Sequence, residues 1–305
     1  MQRSLAGRRL VVTGAARGIG EQVARLAVAR GARVALIGLE PDRLRAIAAD
    51  LGPTTSWREA DVRDGAALRS AMDDCAEIMG GIDLVVANAG VAAYGTVRQM
   101  DEASFDRVVA INLNGVFRTL KYATPHLERT RGHVMVVASA LSFLPLAGMA
   151  SYGASKAGVE MLTLAYRQEV AHLGVTVGVV HPSWIDTDLV RGADADLPSF
   201  MEMRSRLPYP GNVTTSVDQA AAAIVDALAR RSSRVYVPQA VVITNFAKGL
   251  LNSPLTWRWA KRFAARTVPT LEREIDALGR QDQLTPGAEG PSNATSEIKI
   301  REGKR

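Results

Sequence analysis

The sequence predicts a doubly wound α/β fold, a parallel sheet of about seven strands with helices on both faces. Three observations point there. Short apolar runs alternate with segments of helical period from the start of the chain. The 305 residues are 47% hydrophobic yet only 5% aromatic, a balance that suits buried strands packed under Ala-rich helices. A glycine-rich turn joins the first apolar run to the first helical segment. Strands separated by helices need crossovers, and crossovers favour parallel pairing.

In chain order, apolar runs at 10–13, 34–38, 84–87, 134–139, 175–180 and 235–237, with a short run at 56–60, read as strands. Segments 19–30, 41–51, 66–79, 102–128, 152–173 and 217–230 place apolar residues at i, i+3 and i+4 and read as helices. Residues 185–215 show no clear period and follow a strand end, where α/β proteins place substrate loops, so a mobile lid is expected there. After Pro238 the chain turns amphipathic and basic, and from about Gln283 its Pro, Gly, Ser, Glu and Lys content predicts disorder.

The turn Thr13-Gly14-Ala15-Ala16-Arg17-Gly18-Ile19-Gly20 ends one strand and opens one helix. Gly14 suits a tight turn, Gly18 lets backbone approach a pyrophosphate, and Gly20 allows close packing of helix on strand, with the phosphates at the helix N-terminus. No Gly-Lys-Ser/Thr ending follows, which excludes a P-loop. The placement makes the expected fold Rossmann-type. In such sites an acid at the end of the second strand reads the ribose 2′-hydroxyl of NAD, and a cation favours the 2′-phosphate of NADP. Here that strand ends Ile37-Gly38-Leu39-Glu40, with no side chain at Gly38. Arg17 favours NADP, and Glu40 is the rival that would serve NAD; NADP is preferred.

Further motifs follow in order: Asn88-Ala89-Gly90, Asn112 within Ile-Asn-Leu-Asn-Gly, Ser139, and Tyr152-Gly-Ala-Ser-Lys156, with thirteen positions from Ser139 to Tyr152. Together with the glycine turn they resemble the short-chain dehydrogenase/reductase family over about residues 5 to 240, matching its TGxxxGxG, NAG, serine and YxxxK motifs. The resemblance implies NAD(P)-dependent interconversion of an alcohol and a carbonyl. It implies that Asn88, Ala89 and Gly90 lie along the adenosine and that Asp61 and Val62 contact the adenine. It also implies that Lys156 holds the nicotinamide ribose and that Asn112 anchors a water linking lysine to solvent.

The chemistry also follows from the residues. Tyr152 and Lys156, four apart at the start of a helix, share one face. A nearby ammonium and an oxidised nicotinamide both favour the phenolate, so a lowered Tyr152 pKa is expected, making the phenol a usable acid/base. Ser139, at a strand's carboxyl end, is placed to hydrogen-bond the same oxygen. The family pattern has Pro-Gly after the sixth strand; this chain has Pro182-Ser183, with Ile185 and Thr187 still in place to meet the nicotinamide carboxamide.

Leu141, Phe143 and Met149 offer apolar side chains beside the reacting centre, and Tyr94 and Trp184 add aromatic walls. A small hydrophobic ketone, secondary alcohol, steroid or acyl-chain substrate is therefore expected, against the alternative that these residues serve a subunit interface. Further on, within 255–267, Trp257, Trp259 and Phe263 interleave with Arg258, Lys261, Arg262 and Arg266. That pattern suits peripheral membrane contact, a helix covering a neighbouring active site, or a solvated face.

The expected organisation is a catalytic Rossmann-type domain over 1–240, a basic amphipathic helical extension over 241–282 and a disordered tail over 283–305. Much of the net charge of +6, about half, comes from beyond residue 255, and without a recognisable nucleic-acid motif it does not indicate nucleic acid. A single cysteine, Cys75, read as a helix-face residue, excludes an intramolecular disulfide and a cysteine-rich metal site; no metal is expected. With neither a signal-like apolar segment nor a run of ~18 apolar residues, the chain is expected in the cytoplasm, as a homo-oligomeric dimer or tetramer by resemblance. Competing readings are a non-catalytic NADP-binding sensor, which the intact Ser139, Tyr152 and Lys156 set argues against, and an epimerase or dehydratase on a related fold.

Overall fold

The computed structural model describes residues 4–251 and 253–281. Seven strands form one parallel sheet: β1 (Arg9–Thr13), β2 (Arg33–Gly38), β3 (Thr55–Glu59), β4 (Leu84–Ala87), β5 (His133–Val137), β6 (Thr176–Pro182) and β9 (Arg234–Val237), in the order β3-β2-β1-β4-β5-β6-β9. Each overlaps a run read as a strand in the sequence, apolar in every case but the edge strand β3, whose sequence is Thr-Ser-Trp-Arg-Glu. The sheet is buried on both faces because successive side chains of a strand point to opposite sides. Val11 faces the layer of α3 (Gly65–Met79), α5 (Gly115–Thr130) and α6 (Ala150–Glu169), packing with Leu68, Leu120 and Val159. Leu10 and Val12 face α1 (Gly18–Ala29), α2 (Pro41–Leu51) and α9 (Val217–Arg230), packing with Val23, Leu44 and Ile224. Cys75 lies wholly inside the first of these layers, a free thiol with a pKa pushed up to about 12 by burial.

Two departures from the expected elements matter for the site. The helix expected over 102–128 is α4 (Glu102–Val109) and α5 joined by a widened π turn, Ala110–Asn114. Such turns interrupt the regular backbone ladder and re-aim side chains, and Asn112 sits in this one. Segment 185–215 is not a loop without structure: β7 (Trp184–Asp186) pairs in parallel with β8 (Thr214–Ser216), and α7 (Asp188–Asp196) and α8 (Pro198–Ser205) lie between them. Its order comes from packing. Leu197, Phe200 and Met203 are buried against Leu271 and Ile275 of the C-terminal helix α11 (Pro254–Leu278). Between β9 and α11, α10 (Val241–Leu251) places Val241 against Phe143.

No helix among the described residues is long and apolar enough to cross a membrane. The disorder expected over 283–305 lies outside the described residues.

Candidate active site

The strand order reverses between β1 and β4, and beyond the carboxyl ends of strands at such a point α/β sheets leave a crevice. A cavity of about 410 Å³ opens there. The glycine turn forms one wall. Gly14 has φ +64°, and a Cβ on it would come within 2.7 Å of Ala89 Cα; a Cβ on Gly20 would run into the Gly14 carbonyl and the Asn88 amide. Asn88 fastens the turn, donating from Nδ2 to Thr13 O (3.1 Å) and Gly14 O (3.0 Å), while its N–H donates to Thr13 Oγ1 (3.1 Å). Helix α1 starts at Gly18 without a side-chain cap, and Gly18 and Ile19 border the cavity. Uncapped leading N–H groups carry partial positive charge and suit an anion such as a pyrophosphate.

At the ribose end, Arg17 Nε donates to Glu40 Oε1 at 2.8 Å, a second guanidinium nitrogen bonds the other carboxylate oxygen, and Asp188 lies 3.8 Å away. The two rivals for cofactor preference thus hold each other, and both border the cavity with Gly38. Asp61 and Val62 also border it, but the Asp61 carboxylate is held by Arg63 through its N–H and Nε, each at 2.8 Å.

At the other end stand Tyr152 and Lys156 on α6, with Asn88, Ala89 and Gly90 between them and the turn. Lys156 Nζ donates to Val137 O at 2.9 Å and lies 5.7 Å from the centre of the Tyr152 ring. Ser139 Oγ accepts from the Leu141 N–H at 3.2 Å and stands near enough to the Tyr152 hydroxyl to lower its pKa. Asn112 accepts from the Val91 N–H (2.8 Å) and donates to Val91 O (2.9 Å) and Ser155 Oγ (3.1 Å). Its amide is thereby largely committed to protein partners, so a water expected on that side chain has only the second lone pair of Oδ1 to use. A Cβ on Gly90 would lie 3.3 Å from Asn112 Oδ1 and 3.5 Å from Lys156 Nζ, so glycine there lets the three residues crowd together.

The expected lowering of the Tyr152 pKa is not what the protein alone produces. Burial pushes the phenol up, and Ser139 only partly offsets that. Burial also draws the Lys156 ammonium down to about 8. Desolvation disfavours both charged forms, so the phenol keeps its proton at neutral pH, the form needed to protonate a carbonyl oxygen.

Other expected site residues divide. Thr187 borders the cavity, whereas Gly20, Pro182 and Ile185 do not; Ile185 is packed with the sheet's α1/α9 layer. Ser183 in place of glycine brings no strain, because among the described non-glycine residues only Arg131 and Arg231 have positive φ, and its N–H donates to Val237 O at 2.8 Å. Tyr94, Leu141, Met149 and Trp184 gather with Tyr152 in one apolar cluster, in which Phe200 meets Tyr94 and Trp184 edge-on at 5.4 and 5.7 Å. Phe143 does not join them. It packs with Ala140 and Val241 and lies 5.4 Å from the His181 ring.

Sequence reasoning missed Leu189, Asp196 and Arg280, all of which border the cavity. Arg280 bonds Asp196 at 2.8 Å. The chain reaches this point by ending α11 at Gly279, which takes φ +66°. Gly279 was a readable helix stop, but nothing local to it indicates where the next residue lands. Arg204, over the Trp184 ring at 5.1 Å and paired with Asp194, is a second cation that only the fold brings near the apolar cluster.

With the glycine turn at one end and Tyr152 and Lys156 at the other, the cleft at the switch point suits a dinucleotide. The comparisons agree. Residues 8–198 match the family model for short chain dehydrogenase, and the chain belongs to that family. It is 36% identical over 224 residues, 71% of its length and 90% of the relative's, to a cis-4-hydroxycyclohexanecarboxylate dehydrogenase of Sinomonas cyclohexanicum. It is 32% identical over 194 residues, 63% of its length and 80% of the relative's, to a 3-oxoacyl-[acyl-carrier-protein] reductase of Salmonella typhimurium. A short chain dehydrogenase from Burkholderia cenocepacia, solved in complex with NADP, superposes with a TM-score of 0.69 at 31% identity, covering 78% of this chain and 99% of that one.

Proposed function

We propose that this oxidoreductase interconverts a secondary alcohol and a ketone, or a primary alcohol and an aldehyde, on a largely apolar substrate, with NADP preferred and Tyr152 as general acid/base. The observation that carries the reading is Tyr152, one helical turn from Lys156 with both bordering one end of the cleft whose other end is the glycine turn. The nicotinamide supplies or accepts the hydride at the carbonyl carbon. In reduction, Tyr152 gives its proton to the carbonyl oxygen while Ser139 donates a hydrogen bond to that oxygen. In oxidation the phenolate takes the proton from the alcohol hydroxyl. Lys156 holds the ribose hydroxyls and returns a proton to Tyr152, and Asn112 positions the Val91 backbone and Ser155 beside it.

NADP is preferred because Gly38 places no carboxylate at the end of β2 and Arg17 borders the cavity beside it; the NADP complex of the Burkholderia cenocepacia relative supports the same choice. The apolar substrate is supported by Val137 and Leu189, which border the cavity with Tyr152, backed by the buried cluster of Tyr94, Met149, Leu197 and Phe200, which does not border it. A dimer or tetramer is supported by the exposed Phe117 of α5 and Met161 of α6. The test is turnover of a panel of apolar ketones and short charged keto acids with NADPH and NADH. Turnover confined to the keto acids, or a tenfold preference for NADH, contradicts the reading.

A further inference from the structure

We propose that α10 and the first half of α11 form a docking surface for an anionic lipid bilayer. Helix α11 divides sharply along its length. Its second half is a partner of the protein: Leu271 and Ile275 are buried beside the site, and all three of its acids are engaged, Glu272 with Arg98, Glu274 with the Ser199 N–H and hydroxyl, and Asp276 with Gln99. The stripe that contains Leu271 runs back through Ala264 to Trp257, seven residues at each step, a spacing that stays on one helix face. At Trp257, 62% exposed, the described residues leave it largely uncovered. Ile243, Phe246, Leu250, Leu255, Trp257 and Trp259 are each between 56% and 85% exposed. On α10, Ile243, Phe246 and Leu250 follow a helical i, i+3, i+7 spacing, while Val241 and Asn245 are the buried residues of that helix.

Charge complementarity selects the occupant. From Val241 to Arg266 the chain carries Lys248, Arg258, Lys261, Arg262 and Arg266 and no acid at all. Arg258, Arg262 and Arg266 stand at i, i+4 and i+8, next to Leu255 and Trp259 on the side of α11 opposite Trp257, so the start of the helix presents apolar side chains on both sides. Large apolar and indole side chains flanked by guanidinium groups match the acyl–headgroup boundary, where tryptophan rings settle and cations meet lipid phosphates. A second copy of this chain would bring the same five cations against themselves. The surface leads along α11 directly to the wall of the apolar cluster, so docking would place the substrate side of the cavity near the lipid.

The test is co-sedimentation of the full chain with vesicles of pure phosphatidylcholine and of phosphatidylcholine mixed with phosphatidylglycerol. Binding is expected to the mixed vesicles, weakened by salt, and absent or slight with the neutral ones. Each cation near an anionic surface contributes about fivefold, so the triple variant R258E/R262E/R266E, which removes three cations and adds three repelled carboxylates, is expected to lose at least about 100-fold in affinity. It is also expected to keep wild-type turnover of a water-soluble ketone, which shows that it is folded. The double variant Trp257→Ala/Trp259→Ala tests the apolar contribution and should bind more weakly at any salt. Equal pelleting with both vesicle types, unchanged binding of the triple variant, or a dimer that dissociates when the two tryptophans are removed would each overturn the proposal.

Discussion

Leu271 lies directly over Gly148, so close that a Cβ on that glycine would come within 2.6 Å of the leucine methyl. Gly148 also takes φ +79°, a conformation that side chains resist. The C-terminal helix therefore closes the apolar cluster beside Tyr152 through a contact between residues far apart in the chain.

Gly148→Ala should loosen that closure, since it adds both the clash and backbone strain. Leu271→Ala should act in the same direction by leaving a cavity, at about 2–5 kcal/mol for a buried leucine. Both variants are expected to raise KM for an apolar substrate more than they lower kcat, and to speed amide exchange in α11. Unchanged exchange there would show that the helix does not depend on this contact.

The pair formed by Arg17 and Glu40 leads to a cofactor prediction. Glu40→Gln releases the guanidinium for a 2′-phosphate and removes the carboxylate that a 2′-hydroxyl would use. A charge-assisted hydrogen bond of ~1.5–3 kcal/mol is at stake, so the KM ratio of NADH to NADPH should rise about tenfold or more. Steady-state kinetics with both cofactors reads it, and an unmoved ratio would remove Arg17 from the recognition of phosphate.

Lys156 is a stability cost. Its pKa is drawn down to about 8 in the fold, against about 10.4 for an unfolded lysine. Between those values the unfolded chain binds more protons than the native one, so stability rises with pH across that window and the full penalty is present below it. Lys156→Met should therefore flatten the pH dependence of unfolding between about 8 and 10.4. At neutral pH it should gain up to about 3 kcal/mol, less the hydrogen bond to Val137 O, while activity falls. Denaturant unfolding at several pH values checks this, and a variant less stable than wild type at pH 7 contradicts it.

Much of this was legible in the sequence. The inner strands were the clearest, because strands buried on both faces leave an unbroken apolar signature, whereas the edge strand β3, Thr-Ser-Trp-Arg-Glu, is only half-buried and leaves a weaker one. The glycine turn was legible because a Cβ at Gly14 or Gly20 has nowhere to go. Less legible were elements whose order comes from distant partners. Residues 188–205 form α7 and α8 because Leu197 and Phe200 meet Leu271 and Ile275, and no local period reports that. Phe143 was placed with the substrate wall from its nearness in sequence to Ser139, but the short helical turn at Ala140–Ser142 sends it toward Val241. The proton affinity of Tyr152 in the protein alone was not legible, because sequence spacing shows a neighbouring amine but not the burial that raises the phenol's pKa.

Ser139 stands beside the phenol and pulls its pKa down. Ser139→Ala should cost about 100-fold to 1000-fold in kcat by loss of one donor to the reacting oxygen. It should also move the alkaline limb of the oxidation rate to higher pH. A pH–rate profile in the oxidative direction is the check; a limb that moves down, or stays, contradicts the role given to this serine.

The most direct measurement is kcat/KM of Tyr152→Phe in both directions, with cofactor binding followed by fluorescence on the same sample. Removing the phenol that gives its proton to the reacting oxygen should lower the rate by at least about 100-fold while the dinucleotide still binds. Turnover within a few fold of wild type would contradict the account.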